Sequence, residues 1–464
     1  MSEAAAKEAI ETTNPATGKS LKRYDYMTTE NVNEAVLKCH EAFKTWSKTS
    51  LKNRAEVIKS IGEQLINAKE DLAQLMTDEM GKTLEQSLQE VDLCAAICEY
   101  TAEIGPKELK TEERKMINGN RGRVSYAPIG VVYGIQPWNY PSYQVVRYSI
   151  ACLMAGNAVL LKHATNVTGS GKLLESIYSK ADIPDGLFKT LVISHDQSDD
   201  LIKNKLVRAV TFTGGPEAGR HIGQKAAAEL KKTVLELGSN DAYMVFEDAD
   251  IDEAVAACVK GRIYNNGETC IAAKRFIATE KVYDEFRDKF VKAMSEVKMG
   301  DPNEESTELG PMAREDLRNS LHEQVVKSVK KGAQIACGGK IPDQAGFYYP
   351  ATVLENVKPG QPAYDDELFG PVASLIKAKD NEDAMRIAND SRYGLGGGIF
   401  SKDEDAAIEM AEKHFDTGMI FINTFGIADP AMPFGGVKNS GYGREHGGFG
   451  LKEFVNIKSV MIKQ

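Results

Sequence analysis

A chain of 464 residues, 42% hydrophobic and 27% charged, has ordinary globular composition and is long enough for two or three domains with separate cores. A formal net charge of -10 and the lack of any Lys/Arg run argue against a nucleic-acid partner. The opening MSEAAAKEAIETTNPATG has no signal-peptide core, and the longest apolar stretch, SIACLMAGNAVLL, is broken at Gly156 and Asn157, so a cytoplasmic protein with no membrane partner is expected.

Helical periodicity fills the first hundred residues. TTENVNEAVLKCHEAFKTW places Val32, Ala35, Val36, Cys39 and Phe43 on one face, SLKNRAEVIKSIGEQLINAKEDLAQLMTDEMGK continues in the same style to Gly81, and TLEQSLQEVDLCAAICEYTAEIG makes a third long helix with Cys94 and Cys98 on its apolar side. The pattern then changes. Apolar strands at 130–137, 157–163, 187–193, 209–215 and 233–239 alternate with helices, which implies a parallel sheet covered on both faces. A second αβ region starts near Asp241, with strands AYMVF, RFIAT, ASLIKAK and GGGIFS. The tail GLKEFVNIKSVMIKQ reads as a final strand with nothing left in the chain to pair with, hence a candidate for pairing with another subunit.

The seven cysteines are odd in number and sparse, with no Cys-x-x-Cys, and the seven histidines show no ligand spacing, so reduced thiols and no metal are expected. Cys270, behind the polar run NNGET, is either core filler or a nucleophile. Glu268 beside it opposes thiolate formation if it lies close. Asn139, at the strand end of GIQPWNYP, is either a helix cap or a donor to a developing oxyanion. Glu236, in the apolar strand TVLELGS, is either a salt-bridged core residue or a poised general base. Tyr140, Tyr143, Gln144 and Arg147 share one helix face; Arg147 can meet an anionic substrate or pair with a buried carboxylate. Lys162 sits at the carboxyl end of a strand and suits a ribose or phosphate, though solvated lysines are common there. In VTFTGGPEAG, Gly214 and Gly215 lead into a helix starting at Pro216, which is either a plain turn or a phosphate cradle.

Taken together, Asn139, Glu236, Cys270, ELFGP (367–371) and PFGGVKNSGYGRE (433–445) resemble the NAD(P)-dependent aldehyde dehydrogenase superfamily, from NPATG (14–18) to the tail. PWN matches its Pro-Trp-Asn signature, ELGS its Glu-Leu-Gly-Gly with Ser239 in place of Gly, and GETC its Gly-Gln-x-Cys with Glu268 in place of Gln. LLKHATNVTG, KRFI, KMGDP, LGPMAR and YYPATVL resemble the bacterial succinate semialdehyde dehydrogenase branch. The fold implied is α/β and aldehyde dehydrogenase-like: two Rossmann-type αβα domains with parallel sheets plus a small β oligomerisation element. Residues 1–107 and 128–236 would bind the cofactor, 237–440 form the catalytic domain, and 108–127 with 451–464 make the oligomerisation element of a homodimer or homotetramer.

The mechanism implied has Cys270 attack the aldehyde, Asn139 and the Cys270 N–H hold the oxyanion, and Glu236 activate water on the resulting thioester. Gln136, Pro137, Trp138, Lys162, Thr165, Thr213, Gly214, Gly215, Leu237, Glu367 and Phe369 match cofactor-binding positions. Thr165 stands where NAD-preferring members carry a glutamate, so NADP is expected to be accepted alongside NAD. Tyr140, Tyr143, Tyr264 and Phe425 would line the substrate tunnel. Some members of the branch carry a substrate-binding arginine at the place of Tyr264, leaving Arg147 or Arg262 as substitutes. The small-molecule substrate expected is succinate semialdehyde. Alternatives are a broader aliphatic or aromatic aldehyde dehydrogenase, a coenzyme-A-acylating relative, a cofactor-independent thiol hydrolase and a non-catalytic protein on the same fold.

Overall fold

The apolar runs of the first αβ region become parallel strands because both of their faces are covered by helices. In the computed structural model, which describes residues 9–463, the first sheet has the spatial order Gly441–Tyr442, Lys232–Glu236, Val207–Thr213, Val131–Gln136, Ala158–His163, Phe188–Thr190. The last five strands are parallel, and Gly441–Tyr442 adds antiparallel at the edge from far downstream. From Val131–Gln136 the chain first winds one way, to Ala158–His163, and later the other way, to Val207–Thr213. The order reverses between these strands, and ligands of open α/β sheets bind beyond the carboxyl ends at such a reversal. Two loops meet there: Pro137-Trp138-Asn139 and Gly214-Gly215.

Helices Thr29–Trp46, Leu51–Asn67, Lys69–Met80 and Leu84–Glu108 precede this sheet. The run expected to continue unbroken to Gly81 is two helices meeting at Ala68, and Gly81 ends the second in a left-handed conformation (φ 85°). Cys94 and Cys98 are fully buried in the core under this sheet. The NPATG turn joins a short hairpin, Ala9–Thr13 with Ser20–Asp25, that periodicity did not reveal.

The second sheet runs Gln334–Cys337, Thr352–Glu355, Val372–Ala378, Arg275–Thr279, Ala242–Val245, Gly397–Phe400, Phe421–Ile422. It is parallel except at its Gln334–Cys337 edge, and its two faces have separate hydrophobic cores. The tail corrects one expectation. Val455–Ile462 does find a partner within the chain, pairing antiparallel with Arg121–Pro128, which also pairs with Glu112–Lys115. The tail is an edge strand of that three-stranded sheet, with Ile457, Val460 and Met461 exposed. No helix among the described residues is long and apolar enough to cross a membrane.

Candidate active site

The Pro137–Asn139 loop is held from both sides. Neutral His163, whose affinity for a second proton burial pulls down to about 4, bonds the Pro141 carbonyl through Nε2 at 2.8 Å. The following helix, Tyr143–Met154, is capped from outside its own segment: one Glu90 oxygen accepts from the backbone N–H groups of Ser142 and Tyr143, each at 2.8 Å. The cap reading of Asn139 is therefore excluded. Asn139 instead donates from Nδ2 to the Glu268 carbonyl at 3.0 Å, leaving its second N–H available.

The Cys270 loop follows from its own sequence. Asn265, Asn266 and Gly267 all have positive φ (54°, 57° and 73°), a region asparagine and glycine tolerate best. A Cβ on Gly267 would lie 2.4 Å from the Gly370 backbone carbon. Asn265 Nδ2 donates to the carbonyls of Asn139 and Glu268, and Asn266 ties the loop to Gly81, Gly310 and Pro311. Arg262, fully buried, donates to the Gly267 carbonyl at 2.6 Å. The half-buried Cys270 thus sits on an immobilised turn, and its backbone N–H makes no hydrogen bond among the described residues.

Burial pushes the Cys270 thiol up to about 12, against the pull of Arg147 and Lys274. Glu268 does not oppose ionisation as its sequence position suggested. Its carboxyl turns away to accept from the Ala313 N–H, and burial holds it well above the usual carboxylate range. Glu236 is 2% exposed and neither oxygen has a hydrogen-bond partner among the described residues, which excludes a salt-bridged core glutamate. Burial and the nearby Glu445 push it well up, while Arg147 and Arg444 pull it back. Gly435 leaves it room: a Cβ there would come within 2.8 Å of Glu236 Oε1.

Two pockets meet at Cys270. A cleft of about 260 Å³ at the strand reversal is lined by Pro137, Trp138, Asn139, Thr213, Gly214 and Gly215, and across from them by Leu237, Glu367 and Phe369. Trp138 and Phe369 pack edge to face at 5.7 Å. The second pocket, on the far side of Cys270, is walled by Tyr140, Tyr143 and Tyr264. Phe425 is not on its wall; it packs behind Tyr264, ring centres 6.4 Å apart, and Phe434, Ile427 and Ala428 take the apolar positions expected of it. Gln144 borders both pockets.

Neither candidate arginine faces that pocket. Arg147 is buried in an ion pair with Glu445, donates to Thr213 Oγ1 at 3.2 Å, and lies between the rings of Phe434 and Tyr143. Arg262 is committed to backbone carbonyls. Sequence reasoning gave the pairing reading of Arg147 equal standing but did not identify Glu445, which is far away in sequence. It also gave no role to Lys274, the first residue of KRFI, four residues after Cys270.

The cleft suits the dinucleotide implied by the resemblance. A Cβ on Gly215 would meet nothing within 4 Å, and the helix beginning at Pro216 has no side-chain cap, so its first N–H groups are open to a phosphate. Lys162 is 6% exposed and has no carboxylate or hydrogen-bond partner among the described residues; it is not the solvated lysine of the bland reading. Gln136 is buried with its amide unpaired among the described residues. Both stand at the carboxyl ends of strands flanking the cleft rather than on its wall, and half-buried Thr165 opens the short helical turn that follows the second strand.

The family model described as "Aldehyde dehydrogenase family" matches residues 2–460. The chain is 43% identical over 447 residues to the succinate semialdehyde dehydrogenase (NAD(P)+) Sad of Escherichia coli strain K12, covering 96% of each. It is 40% identical over 455 residues to a succinate-semialdehyde dehydrogenase (NADP(+)) of Mycobacterium tuberculosis, covering 98% of this chain and 99% of that one. A solved succinic semialdehyde dehydrogenase from Streptococcus pyogenes, in complex with NADP+, superposes with a TM-score of 0.96 at 34% identity, covering 98% of this chain and 100% of the other. The chain belongs to the aldehyde dehydrogenase family.

Proposed function

We propose that the protein oxidises succinate semialdehyde to its acid with NAD(P)+, using Cys270 as nucleophile, Asn139 as oxyanion donor and Glu236 as base. The observation that supports this reading is that Cys270, whose backbone N–H makes no hydrogen bond among the described residues, lines one cleft with Asn139, whose second N–H is spare, while Glu236 is buried with both carboxyl oxygens unpaired among the described residues. The substrate rests on what the similar proteins from Escherichia coli, Mycobacterium tuberculosis and Streptococcus pyogenes are named for.

The aldehyde enters on the Tyr140, Tyr143 and Tyr264 side. The Cys270 thiolate adds to its carbon, and the new oxyanion takes hydrogen bonds from the Cys270 N–H and the second Asn139 N–H. Losing one such donor typically costs about a hundredfold or more in rate. Pro137, Trp138, Gly214, Gly215, Glu367 and Phe369 would hold the dinucleotide, with Lys162 and Thr165 as further cofactor residues. When bound, NAD(P)+ supplies the acceptor for the aldehyde hydrogen, so that a thioester is left on Cys270. Glu236, with neither oxygen committed, takes a proton from water as that water attacks the thioester, releasing the acid and the thiol. Residues 1–107 and 128–236, of which 1–8 lie outside the described residues, form the cofactor-binding domain and 237–440 the catalytic domain. Residues 108–127 and 451–464 join subunits of a homodimer or homotetramer through the exposed edge of the tail strand.

The test is a matrix of aldehydes against NAD+ and NADP+, read by absorbance of the reduced cofactor. Succinate semialdehyde is expected to give the highest kcat/KM, with NADP+ accepted because Thr165 brings no carboxylate to repel a 2′-phosphate. Strict use of NAD+ contradicts the cofactor reading, and no reduced cofactor with any aldehyde contradicts the whole.

A further inference from the structure

Lys274 lines neither pocket, yet its ammonium stands between the groups that do. It is 1% exposed, at the start of strand Arg275–Thr279, and its backbone N–H is fixed to the Asp241 carbonyl at 3.1 Å. Its Nζ hydrogen-bonds the Cys270 carbonyl, reaches those of Thr269 and Ala272 at 3.3 and 3.4 Å, and ion-pairs with Glu367 Oε1 at 3.3 Å. The same Glu367 oxygen accepts from the Ser239 N–H at 3.0 Å. One buried cation therefore joins a carboxylate on the dinucleotide cleft to the backbone of the thiol loop, inside a single shell of contacts.

A ribose diol bound at Glu367 donates hydroxyls to the carboxylate that now holds Lys274. Sharing that carboxylate weakens its hold on the ammonium, and more of the positive charge then bears on the Cys270 loop. A nearby cation favours the thiolate, the reactive form of cysteine. We propose that Lys274 is a positioning residue that couples occupancy of Glu367 by the cofactor's ribose diol to the reactivity of Cys270. This rests on the reading of Glu367 as a cofactor residue. It gives the enzyme an order: the thiol is most nucleophilic once the hydride acceptor is in place.

The test follows alkylation of Cys270 by iodoacetamide, quantified by mass spectrometry of the Cys270 peptide. The probe is ADP-ribose or its 2′-phosphate, which carries the second ribose but no nicotinamide ring to shield the thiol. AMP, lacking that ribose, is the control, and calorimetry reports binding separately. In the wild type ADP-ribose is expected to speed alkylation about tenfold, within the ordinary range of site-to-site coupling, and AMP not at all. In K274M, ADP-ribose is expected to bind without speeding alkylation, whereas K274R recovers part of the effect. E367Q removes the same link from the other side and, should K274M not fold, reads the coupling at ADP-ribose concentrations where calorimetry shows the variant saturated. Bound ADP-ribose without acceleration in the wild type, or full acceleration in K274M or E367Q, overturns the proposal. Aldehyde-dependent NAD(P)H formation by the wild type, measured in parallel, separates failure of the coupling from failure of the proposed function.

Discussion

At the residue scale, the ionisation of two groups governs the chemistry, and one guanidinium bears on both. Cys270 and Glu236 are each pushed up by burial, and Arg147 pulls each back. Both act in their deprotonated forms, so the ionised fraction, and with it kcat/KM, is expected to rise as pH climbs from 6 to 9. Arg147→Met removes the pull and moves the iodoacetamide profile of Cys270 to higher pH; each unit of displacement lowers the thiolate fraction near neutrality about tenfold. The same change strands Glu445 and should cost about 3–5 kcal/mol by chemical denaturation, whereas Arg147→Lys retains the charge. An unmoved alkylation profile in Arg147→Met means that Arg147 does not set the thiol. The sequence placed Arg147 on the right helix face, next to Tyr143 and Gln144. Its partner was not readable there, because Glu445 comes from a late glycine-rich segment that returns beside Glu236 only once Gly441–Tyr442 has joined the first sheet.

At the element scale, strands were legible wherever both faces are apolar. Val131–Gln136 and Val207–Thr213 fall within a residue or two of the runs that announced them, since burial on both faces leaves a continuous apolar signature. The N-terminal hairpin was not legible, because Ser20–Asp25 is largely exposed and carries no apolar alternation. The tail was recognised as a strand, but its neighbour Arg121–Pro128 is polar and only partly buried, so the pairing within the chain escaped notice. The outer edge of Val455–Ile462 stays unpaired among the described residues and exposes Ile457, Val460 and Met461, an arrangement soluble proteins ordinarily cover. Light scattering should therefore give two or four times 50.8 kDa. Val460→Pro, which takes one backbone N–H from that strand, should shift the mass toward the single chain. A wild-type monomer rules out the tail as a joining element.

At the scale of the whole molecule, function depends on two sheets meeting. The first presents the Asn139 loop and the Gly214–Gly215 turn at its strand reversal; the second carries Cys270 on the turn just before Arg275–Thr279. Each motif was visible in the sequence with a bland alternative beside it. For Asn139, Glu236 and Lys162 the fold removed that alternative: among the described residues no helix is capped by the first and no cation pairs with the second, and little solvent reaches the third. Phe425 went the other way, since only the three-dimensional path shows that it stands behind Tyr264 rather than beside the thiol.

The division of labour between Cys270 and Glu236 is the centre of the account, and a Glu236→Gln variant tests it most directly. Mixed rapidly with succinate semialdehyde and NADP+, it should release one equivalent of NADPH per chain and then stall, with a thioester on Cys270 detectable by intact-protein mass spectrometry. Steady turnover at the wild-type rate, or an absorbance burst with no adduct on Cys270, would contradict it.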